Sequence, residues 1–182
     1  MLVKELMRKE VIFCTPWDAA RTAASLMKLH DVGAIPVVWD KTDPLLEGIV
    51  TDRDLCCGVV CNAMDSDAVK ISDLMTEAPV TCTPEFTVEE CEELMQENLV
   101  RRVPVVDDRG RCVGIVTQAD IARHASAAQV QKTIKEISNP SKQHPKGPAE
   151  QKYFYCGQTH EEDQILLLSR RRQMHRKVEV PV

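Results

Sequence analysis

The sequence feature that most constrains the fold is an internal repeat. The motif Gly-Ile-Val-Thr-x-x-Asp occupies residues 48–54 and recurs at residues 114–120, and a Pro-Val-Val run precedes each copy, at 36–38 and 104–106. Upstream, a Leu-Met pair, a Thr-Pro pair and a second Leu-Met pair recur in the same order. Their separation is 68 residues, which falls to 66 after a longer first hairpin loop. Chance similarity does not hold its register over such a distance, so the chain is a tandem repeat of one supersecondary unit.

Apolar periodicity predicts the same order of elements in each unit: a lead-in helix, a strand, a helix, a two-stranded hairpin and a closing helix. In the first unit these are Val3–Met7, Val11–Cys14, the helix after Asp18, Ala34–Trp39, Leu46–Val50 and Asp52–Val60. In the second unit they are Ile71–Thr76, Val80–Cys82, Val88–Asn98, Val103–Val106, Cys112–Val116 and Ala119–Ala125.

Two helix starts carry capping signals. Asp18 is a candidate cap for the first long helix, and Thr87 with Glu90 is predicted to form a capping box at its counterpart. Four acidic residues surround the inward-facing Cys91, and we expect them to form a solvated helix face rather than a catalytic site. These residues are Glu89, Glu90, Glu92 and Glu93.

The repeated Thr-x-x-Asp lies where a strand is predicted to end and a helix to begin. This spacing places a hydroxyl and a carboxylate within one helical turn, at Thr51 and Asp54 and again at Thr117 and Asp120. A carboxylate can accept hydrogen bonds from both hydroxyls of a ribose, while the threonine and the N–H groups of the helix start can hold phosphate oxygens. Alternatively, each threonine is a helix cap and each aspartate complements its helix dipole. The residues alone leave both interpretations open.

The repeated motifs, in this order within residues 1–124, resemble the cystathionine-β-synthase (CBS) domain, and two such units in tandem resemble a CBS pair, or Bateman module. The resemblance implies an α/β (α+β) fold of two CBS domains, each a small β-sheet with packed helices, related by pseudo-twofold symmetry. It also implies two clefts between the repeats, whose usual ligands are AMP, ADP, ATP or S-adenosylmethionine. Together with the recurrence of the motif, it favours ligand binding.

Carried over by position, the resemblance assigns the ribose to Asp54 and Asp120, and the neighbouring hydroxyl to Thr51 and Thr117. The adenine is expected against the first strand of each unit and the residues before Pro-Val-Val. These positions are Val11, Ile12, Val80, Ala34 and Val103.

The residues expected to meet phosphate differ between the two clefts. Arg101 and Arg102 precede the second Pro-Val-Val, where some nucleotide-binding relatives, such as the regulatory γ subunit of AMP-activated kinase, place His-Arg. The first unit has glycine and alanine there, so Arg53, within its own motif, is the candidate cation. We therefore expect the Asp120 cleft to take a phosphorylated nucleotide first. The alternative for Arg101 is a surface ion pair.

The sequence divides into six predicted segments: 1–60, the first CBS domain; 61–70, a connector; 71–125, the second CBS domain; 126–138, a helix; 139–150, a Pro-rich linker; and 151–182, a C-terminal tail. The tail carries aromatic residues at Tyr153–Tyr155. A helix is predicted over Glu161–Met174, with Ile165 and Leu168 on one face and a basic end at Arg170–Arg172. Because these apolar side chains are poorly suited to water, we expect the tail to dock on the CBS core or on a second protomer.

Composition excludes some function classes. A net charge of −5 and a pI of about 5.6 argue against a protein that coats nucleic acid, because that role needs an excess of clustered lysine and arginine. No stretch approaches the roughly 18 apolar residues of a membrane span, and the first ten residues lack the apolar core of a signal peptide. We therefore expect a cytoplasmic protein with neither nucleic acid nor membrane as its primary partner.

The leading hypothesis is a non-catalytic sensor module that binds an adenosyl ligand, forms a homodimer and signals to a protein effector. No enzyme is expected, because the five histidines are scattered and no nucleophile–base pair stands out. One alternative is a ligand-free CBS scaffold for dimerisation. Another is a redox- or metal-responsive protein, since Cys56, Cys57 and Cys61 are closely spaced and Cys156 and His160 lie in the tail. We expect no required cofactor and no metal site, because the eight cysteines lack paired C-x-x-C spacing.

Overall fold

The computed structural model describes residues 1–124 and 127–138. The predicted Pro-rich linker and C-terminal tail, residues 139–182, lie outside the described residues. Two small antiparallel sheets carry packed helices, one set in each repeat, which confirms the predicted fold class. Within the described ranges, no helix is long and apolar enough to cross a bilayer.

Apart from the first predicted strand of each repeat, which is absent, the elements follow the predicted order. The first repeat contains α1 (Val3–Leu6), α2 (Ala20–His30), β1 (Ala34–Val38), β2 (Leu46–Thr51) and α3 (Asp52–Leu55). The second contains a short 3-10 turn (Ile71–Asp73), β3 (Thr76–Glu77), α4 (Val88–Asn98), β4 (Arg102–Val106), β5 (Cys112–Thr117) and α5 (Gln118–Ala122). A further helix, α6 (Ala127–Ile137), follows the second repeat.

The two hairpins have the same register. Pro36 of β1 lies opposite Ile49 of β2, and Pro104 of β4 lies opposite Ile115 of β5. Each hairpin has a register irregularity next to its connecting loop, immediately after Val37 in the first and after Val105 in the second. β1 is buried along its whole length, as its continuous apolar sequence predicts.

The lead-in segments are exchanged between the repeats. Val3 and Leu6 of α1 pack in the core of the second repeat, and the next residues reach β5, where Arg8 bridges to Ile115. Reciprocally, the second lead-in segment, 69–75, packs in the core of the first repeat, and β3 pairs with β2. Each hydrophobic core therefore contains side chains from both repeats, and this shared packing holds the two repeats together.

This exchange explains the repeated glycine of Gly-Ile-Val-Thr. A Cβ at Gly114 would lie 2.6 Å from the Sδ of Met7, and a Cβ at Gly48 would lie 2.8 Å from the carbonyl oxygen of Thr76. At Gly48 the backbone of the crossing lead-in leaves no room for a side chain, and at Gly114 a side chain would require the Met7 side chain to move.

Two predicted strands are wrong. Val11–Cys14 and Val80–Cys82 each make a single parallel bridge, from Cys14 to Val37 and from Cys82 to Val105. In each case a turn begins at the Thr-Pro pair immediately afterwards, which ends the pairing before a strand can form.

The predicted cap at Asp18 is also wrong. The residue that precedes α2 is Ala19, and it makes no side-chain cap. The Asp18 carboxylate instead accepts a hydrogen bond from the backbone N–H of Thr15 at 2.8 Å, which closes the turn after Cys14.

The helix predicted over Asp52–Val60 is α-helical only in its first part. After α3 it continues as a π-helical turn over Cys56–Val60, in which the Cys61 N–H donates to the Cys56 carbonyl at 3.1 Å. Gly58 on this turn faces Leu74 so closely that a Cβ would overlap that side chain. The π-helical turn, with glycine at this position, thus leaves room for Leu74 of the exchanged lead-in segment.

One of the predicted surface glutamates is buried. Glu92 of α4 is 7% exposed because α6 packs over it, whereas Glu89, Glu90 and Glu93 are exposed as expected. Its carboxylate accepts a hydrogen bond from the Thr133 hydroxyl at 3.2 Å, and Gln96 donates to the same hydroxyl at 3.1 Å. A buried carboxylate needs such partners, and α6 supplies them.

Candidate functional site

A cleft opens where the exchanged lead-in of the first repeat crosses β5 of the second. It encloses a cavity of about 670 Å³, within the size range of small-molecule sites. Its walls are the lead-in residues, the end of α2, the start of β1 and one residue of β5. The lining residues are Met7, Arg8, Lys9, Glu10, Val11, Ile12, His30, Val32, Ala34, Pro36 and Ile115.

A second cavity of about 280 Å³ continues this cleft. It shares Arg8, Val32, Ala34 and Ile115 with the first, so the two form one groove. The residues that line only the second cavity are Asp31, Gly33, Arg101, Arg102, Thr117, Gln118 and Ala119. The groove is therefore apolar near Val11 and Ile12 and mainly basic near the two adjacent arginines. We call this the Asp120 groove, after the aspartate that α5 places beside it.

Asp120 is 1% exposed and its carboxylate is fully engaged. One oxygen, Oδ2, accepts from the backbone N–H of Thr117 at 2.9 Å and from its hydroxyl at 2.6 Å. The other oxygen, Oδ1, accepts from Arg123 and lies 3.6 Å from the Nε of Arg8. The Arg8 side chain is 50% exposed and makes the longer of the two contacts, so it can leave the carboxylate while Arg123 still neutralises this buried charge.

Thr51 and Asp54 form the equivalent capping box at the start of α3. The Asp54 carboxylate accepts from the Thr51 backbone N–H at 2.8 Å and from its hydroxyl at 2.7 Å. Both repeats thus use the Thr-x-x-Asp motif as a helix cap, and the same capping geometry recurs at Thr87 and Glu90, as predicted. Capping and ligand binding are compatible, because each carboxylate uses one oxygen in its cap.

Arg102 lies between the two halves of the molecule. It lines the Asp120 groove, and its guanidinium also lies against Gly33, where an added Cβ would be 2.6 Å from Nη2 and 2.9 Å from Asp52 Oδ2. Because Asp52 follows Thr51 directly, Arg102 also approaches the helix start of the first repeat. Arg102 therefore lines the groove of the second repeat and also lies close to Asp52 of the first.

The structure brings several predicted ligand residues together. Val11, Ile12 and Ala34 line the apolar part of the Asp120 groove, and Arg101 and Thr117 line its basic part. The other predicted residues lie elsewhere: Val80 is half-buried beyond this groove, and Arg53 is exposed on α3. Val103 is fully buried in the core of the second repeat, so its side chain does not face a cleft.

Sequence reasoning missed Arg8, Arg123 and His30. Arg8 follows the repeated Leu-Met, but the corresponding residue in the second repeat is Thr76, so the repeat does not mark it. Its proximity to Asp120 depends on the exchange of the lead-in segments, which local sequence does not reveal. Arg123, three residues after Asp120, could have been found as a partner one helical turn away.

None of the described cysteines forms a disulfide, and four of them are buried: Cys14, Cys82, Cys91 and Cys112. Burial raises the pKa of Cys14 and of Cys112 to about 11 each, which makes both thiols unreactive at neutral pH. Within residues 1–124 and 127–138, no three potential ligands are grouped to hold a metal ion. Cys156 and His160 lie outside the described residues.

Comparison with known proteins assigns the fold. The family model of the CBS domain matches residues 3–58 and again residues 71–127. The chain therefore belongs to the CBS domain family and contains a tandem CBS pair.

Individual relatives share this unit. Hypoxic response protein 1 of Mycobacterium tuberculosis is 32% identical over 137 residues, which cover 75% of this chain and 94% of that protein. Its solved structure, with two coordinated zinc ions, is similar with a TM-score of 0.62 and 32% identity, over 69% of this chain and 100% of that chain. An uncharacterised protein of Methanopyrus kandleri is 37% identical over 119 residues, 65% of this chain, but the match spans only 60% of that protein.

Two similar solved structures hold adenosyl compounds. The CBS pair of protein MJ0100, in complex with 5′-methylthioadenosine and S-adenosyl-L-methionine, has a TM-score of 0.59 and 31% identity, over 68% of this chain and 94% of that chain. CBSX2 in complex with AMP also has a TM-score of 0.59, with 27% identity over 71% of this chain and 98% of that chain.

Proposed function

We propose that this protein is a non-catalytic regulatory module that binds an adenosyl nucleotide in the Asp120 groove. The observation that carries the proposal is the composition of the groove: Val11, Ile12 and Ala34 line its apolar part, and Arg101 and Arg102 line its basic part. The buried Asp120 carboxylate lies behind the lining and contacts Arg8, which lines both cavities. A nucleotide presents complementary groups, as base, ribose and phosphate. Two similar CBS proteins hold S-adenosyl-L-methionine and AMP, which supports the same class of ligand here.

In the proposed complex the adenine packs against Val11, Ile12 and Ala34. The ribose hydroxyls donate to the Asp120 carboxylate at the position now taken by Arg8, while Thr117 continues to hold the other carboxylate oxygen. The phosphate lies toward Arg101, with Arg102 beside it. Guanidinium groups suit phosphate because they donate charge-assisted hydrogen bonds in a fixed geometry.

The groove also suggests how binding is transmitted. Arg8 belongs to the first repeat and Asp120 to the second, so a ligand that displaces Arg8 changes a contact between the repeats. Such a ligand favours one relative position of the repeats by its difference in affinity for the two. We propose that this change is read by a protein effector and that the module acts as a cytoplasmic homodimer. Asp54 is the proposed ribose residue of a second cleft.

Thermal shift and calorimetry test the proposal. The purified full chain is titrated with AMP, ADP, ATP, S-adenosylmethionine and NADH, and ligand retained through purification is identified by mass spectrometry. We expect saturable binding of at least one adenosyl compound and no turnover of it. Absence of binding by the whole panel would favour a ligand-free scaffold, and turnover would contradict the non-catalytic assignment.

A further inference from the structure

The two repeats differ in how their helices are covered. In the second repeat α6 packs on α4 and α5, and Ile137 of α6 joins the hydrophobic core of that repeat with 7% exposure. The equivalent surface of the first repeat lies between α2 and the α3–π-helical segment. Among the described residues, no helix lies over it.

This surface is an apolar groove of about 440 Å³. Its apolar lining includes Ala24, Met27, Leu55 and Val59, together with Val60, which is 72% exposed. We call it the α2 groove. An apolar groove next to an exposed large side chain is typical of a surface that another segment covers.

We propose that the α2 groove is the docking site of the chain's own segment Glu161–Met174. The repeat itself provides the precedent, because α6 of the same chain covers the equivalent surface of the second repeat. The proposal is independent of nucleotide binding, since the α2 groove and the Asp120 groove have no lining residue in common.

The side chains that line the α2 groove favour an apolar occupant. The α4 residue beneath α6 is Glu92, which accepts a hydrogen bond from Thr133. The residue 68 positions earlier, Ala24, lines the α2 groove and offers no polar group. A second copy of α6 would bring Thr133 to a site without a hydrogen-bonding partner. Ile165 and Leu168, three residues apart on the predicted helix, suit this site.

Charge favours the same segment. Asp52 lines the α2 groove, and Asp65 and Asp67 flank Ser66, which also lines it. Arg21 pairs with Asp67 at 2.6 Å, which leaves the local balance acidic. The basic run at 170–172 directly follows the apolar residues of the proposed segment and complements this acidic edge.

The chain is long enough to make the contact. At up to about 3.3 Å per residue, the stretch 139–164 can span roughly 80 Å. A small domain is only about 30 Å across, so the segment can reach the α2 groove from the end of α6.

The labelling rate of Cys56 in the full chain reports occupancy, because this exposed thiol lines the α2 groove. N-ethylmaleimide modification is followed by tandem mass spectrometry, with the labelling rate of the same thiol in the unfolded protein as the reference. Ile165→Asp combined with Leu168→Asp should raise the labelling rate of Cys56 several-fold. The control Leu167→Asp, on the opposite face of the predicted helix, should leave it unchanged. Ala24→Glu should act like the double variant, and Thr22→Glu, on the other face of α2, should not.

Equal labelling of Cys56 in the wild type and in the double variant would overturn the proposal. A second result would also overturn it: protection of Cys56 that rises with protein concentration and disappears when Ala24→Glu converts a dimer to a monomer, as measured by light scattering. In that case the occupant of the α2 groove would be a second copy of the chain. Circular dichroism of each variant establishes that the fold is retained before labelling rates are compared.

Discussion

Arg8 of the first repeat and Asp120 of the second meet across the groove, with Arg8 Nε 3.6 Å from Asp120 Oδ1. This contact exists because the lead-in segments are exchanged, and it places a half-exposed guanidinium beside the carboxylate that is proposed to receive a ribose. The Arg8–Asp120 contact thus depends on the fold, lies in the candidate site and is the contact that the proposed ligand would change.

The first prediction concerns this pair. Arg8→Ala should change the free energy of unfolding by less than about 1 kcal/mol, because the arginine is half-exposed and Arg123 still pairs with the buried Asp120 carboxylate. The same change should strengthen the binding of adenosine, which no longer competes with Arg8 for the carboxylate. Calorimetry measures the affinity, and Lys4→Ala, an exposed lysine of α1, is the control. Weaker binding of adenosine would show that Arg8 contacts the ligand instead of competing with it.

The second prediction separates capping from binding. Thr87→Ala and Thr117→Ala each remove the same capping hydroxyl, so each should lower the free energy of unfolding by about 0.5–2 kcal/mol. Only Thr117→Ala should also weaken the adenosyl ligand, because its hydroxyl holds Asp120 in place at 2.6 Å. Urea unfolding followed by circular dichroism gives the first quantity and calorimetry the second. An equal loss of affinity in both variants would indicate a general effect of stability.

The third prediction concerns the two arginines before β4. The combined change Arg101→Ala and Arg102→Ala should remove most of the preference for AMP over adenosine, because charge-assisted hydrogen bonds contribute roughly 1.5–3 kcal/mol each. Arg53→Ala should leave that preference intact at the tighter site, since Arg53 is exposed on α3 and does not line the Asp120 groove. The single variants resolve the role of Arg102, which also approaches Asp52. If Arg53→Ala alone abolishes the preference, the dominant cleft is in the first repeat.

The fourth prediction is a pH dependence in the second hairpin loop. The Arg111 side chain donates to Asp107 at 2.8 Å and, with backbone N–H groups, holds the pKa of that carboxyl below its usual 3.8. The folded state therefore binds this proton less readily than the unfolded state, so the contribution to stability is present above pH 3.8 and is lost as the pH falls through the lower folded pKa. Asp107→Asn should flatten the loss of stability below about pH 4. Urea titrations of both proteins between neutral and acidic pH measure this, and identical slopes would exclude the contribution.

Much of the fold follows from local sequence, and the elements show why. The bounds of α4 are those predicted, because Thr87 and Glu90 form the capping box that marks its start. The strands of both hairpins are also correct to within one residue at each end, since their apolar runs and intervening loops carry the signal. The predictions of strands at Val11–Cys14 and Val80–Cys82 are wrong because a segment that makes a single bridge before a Thr-Pro turn can be as apolar as a true strand.

What sequence could not provide depends on long-range packing. The lead-in segments fit either repeat by composition, and their exchange is decided by how the crossing chain fills the space beside Gly48 and Gly114. Burial of Glu92 depends on α6, which has no equivalent in the repeat pattern. The same limit applies to the site: the resemblance marked Asp120 and Thr117, whereas Arg8 became part of the groove only through the exchange.

Equilibrium binding of an adenosyl ligand to matched aspartate variants tests the central claim most directly. Asp120→Ala and Asp54→Ala should each retain the fold and weaken binding by about 1–3 kcal/mol, the range for hydrogen bonds to a charged carboxylate. This corresponds to a rise in Kd of about 5- to 150-fold. Glu90→Ala, which removes the equivalent capping carboxylate of α4, should leave the Kd unchanged. An unaltered Kd in the Asp54→Ala and Asp120→Ala double variant would contradict the account and leave both aspartates as helix-start residues only.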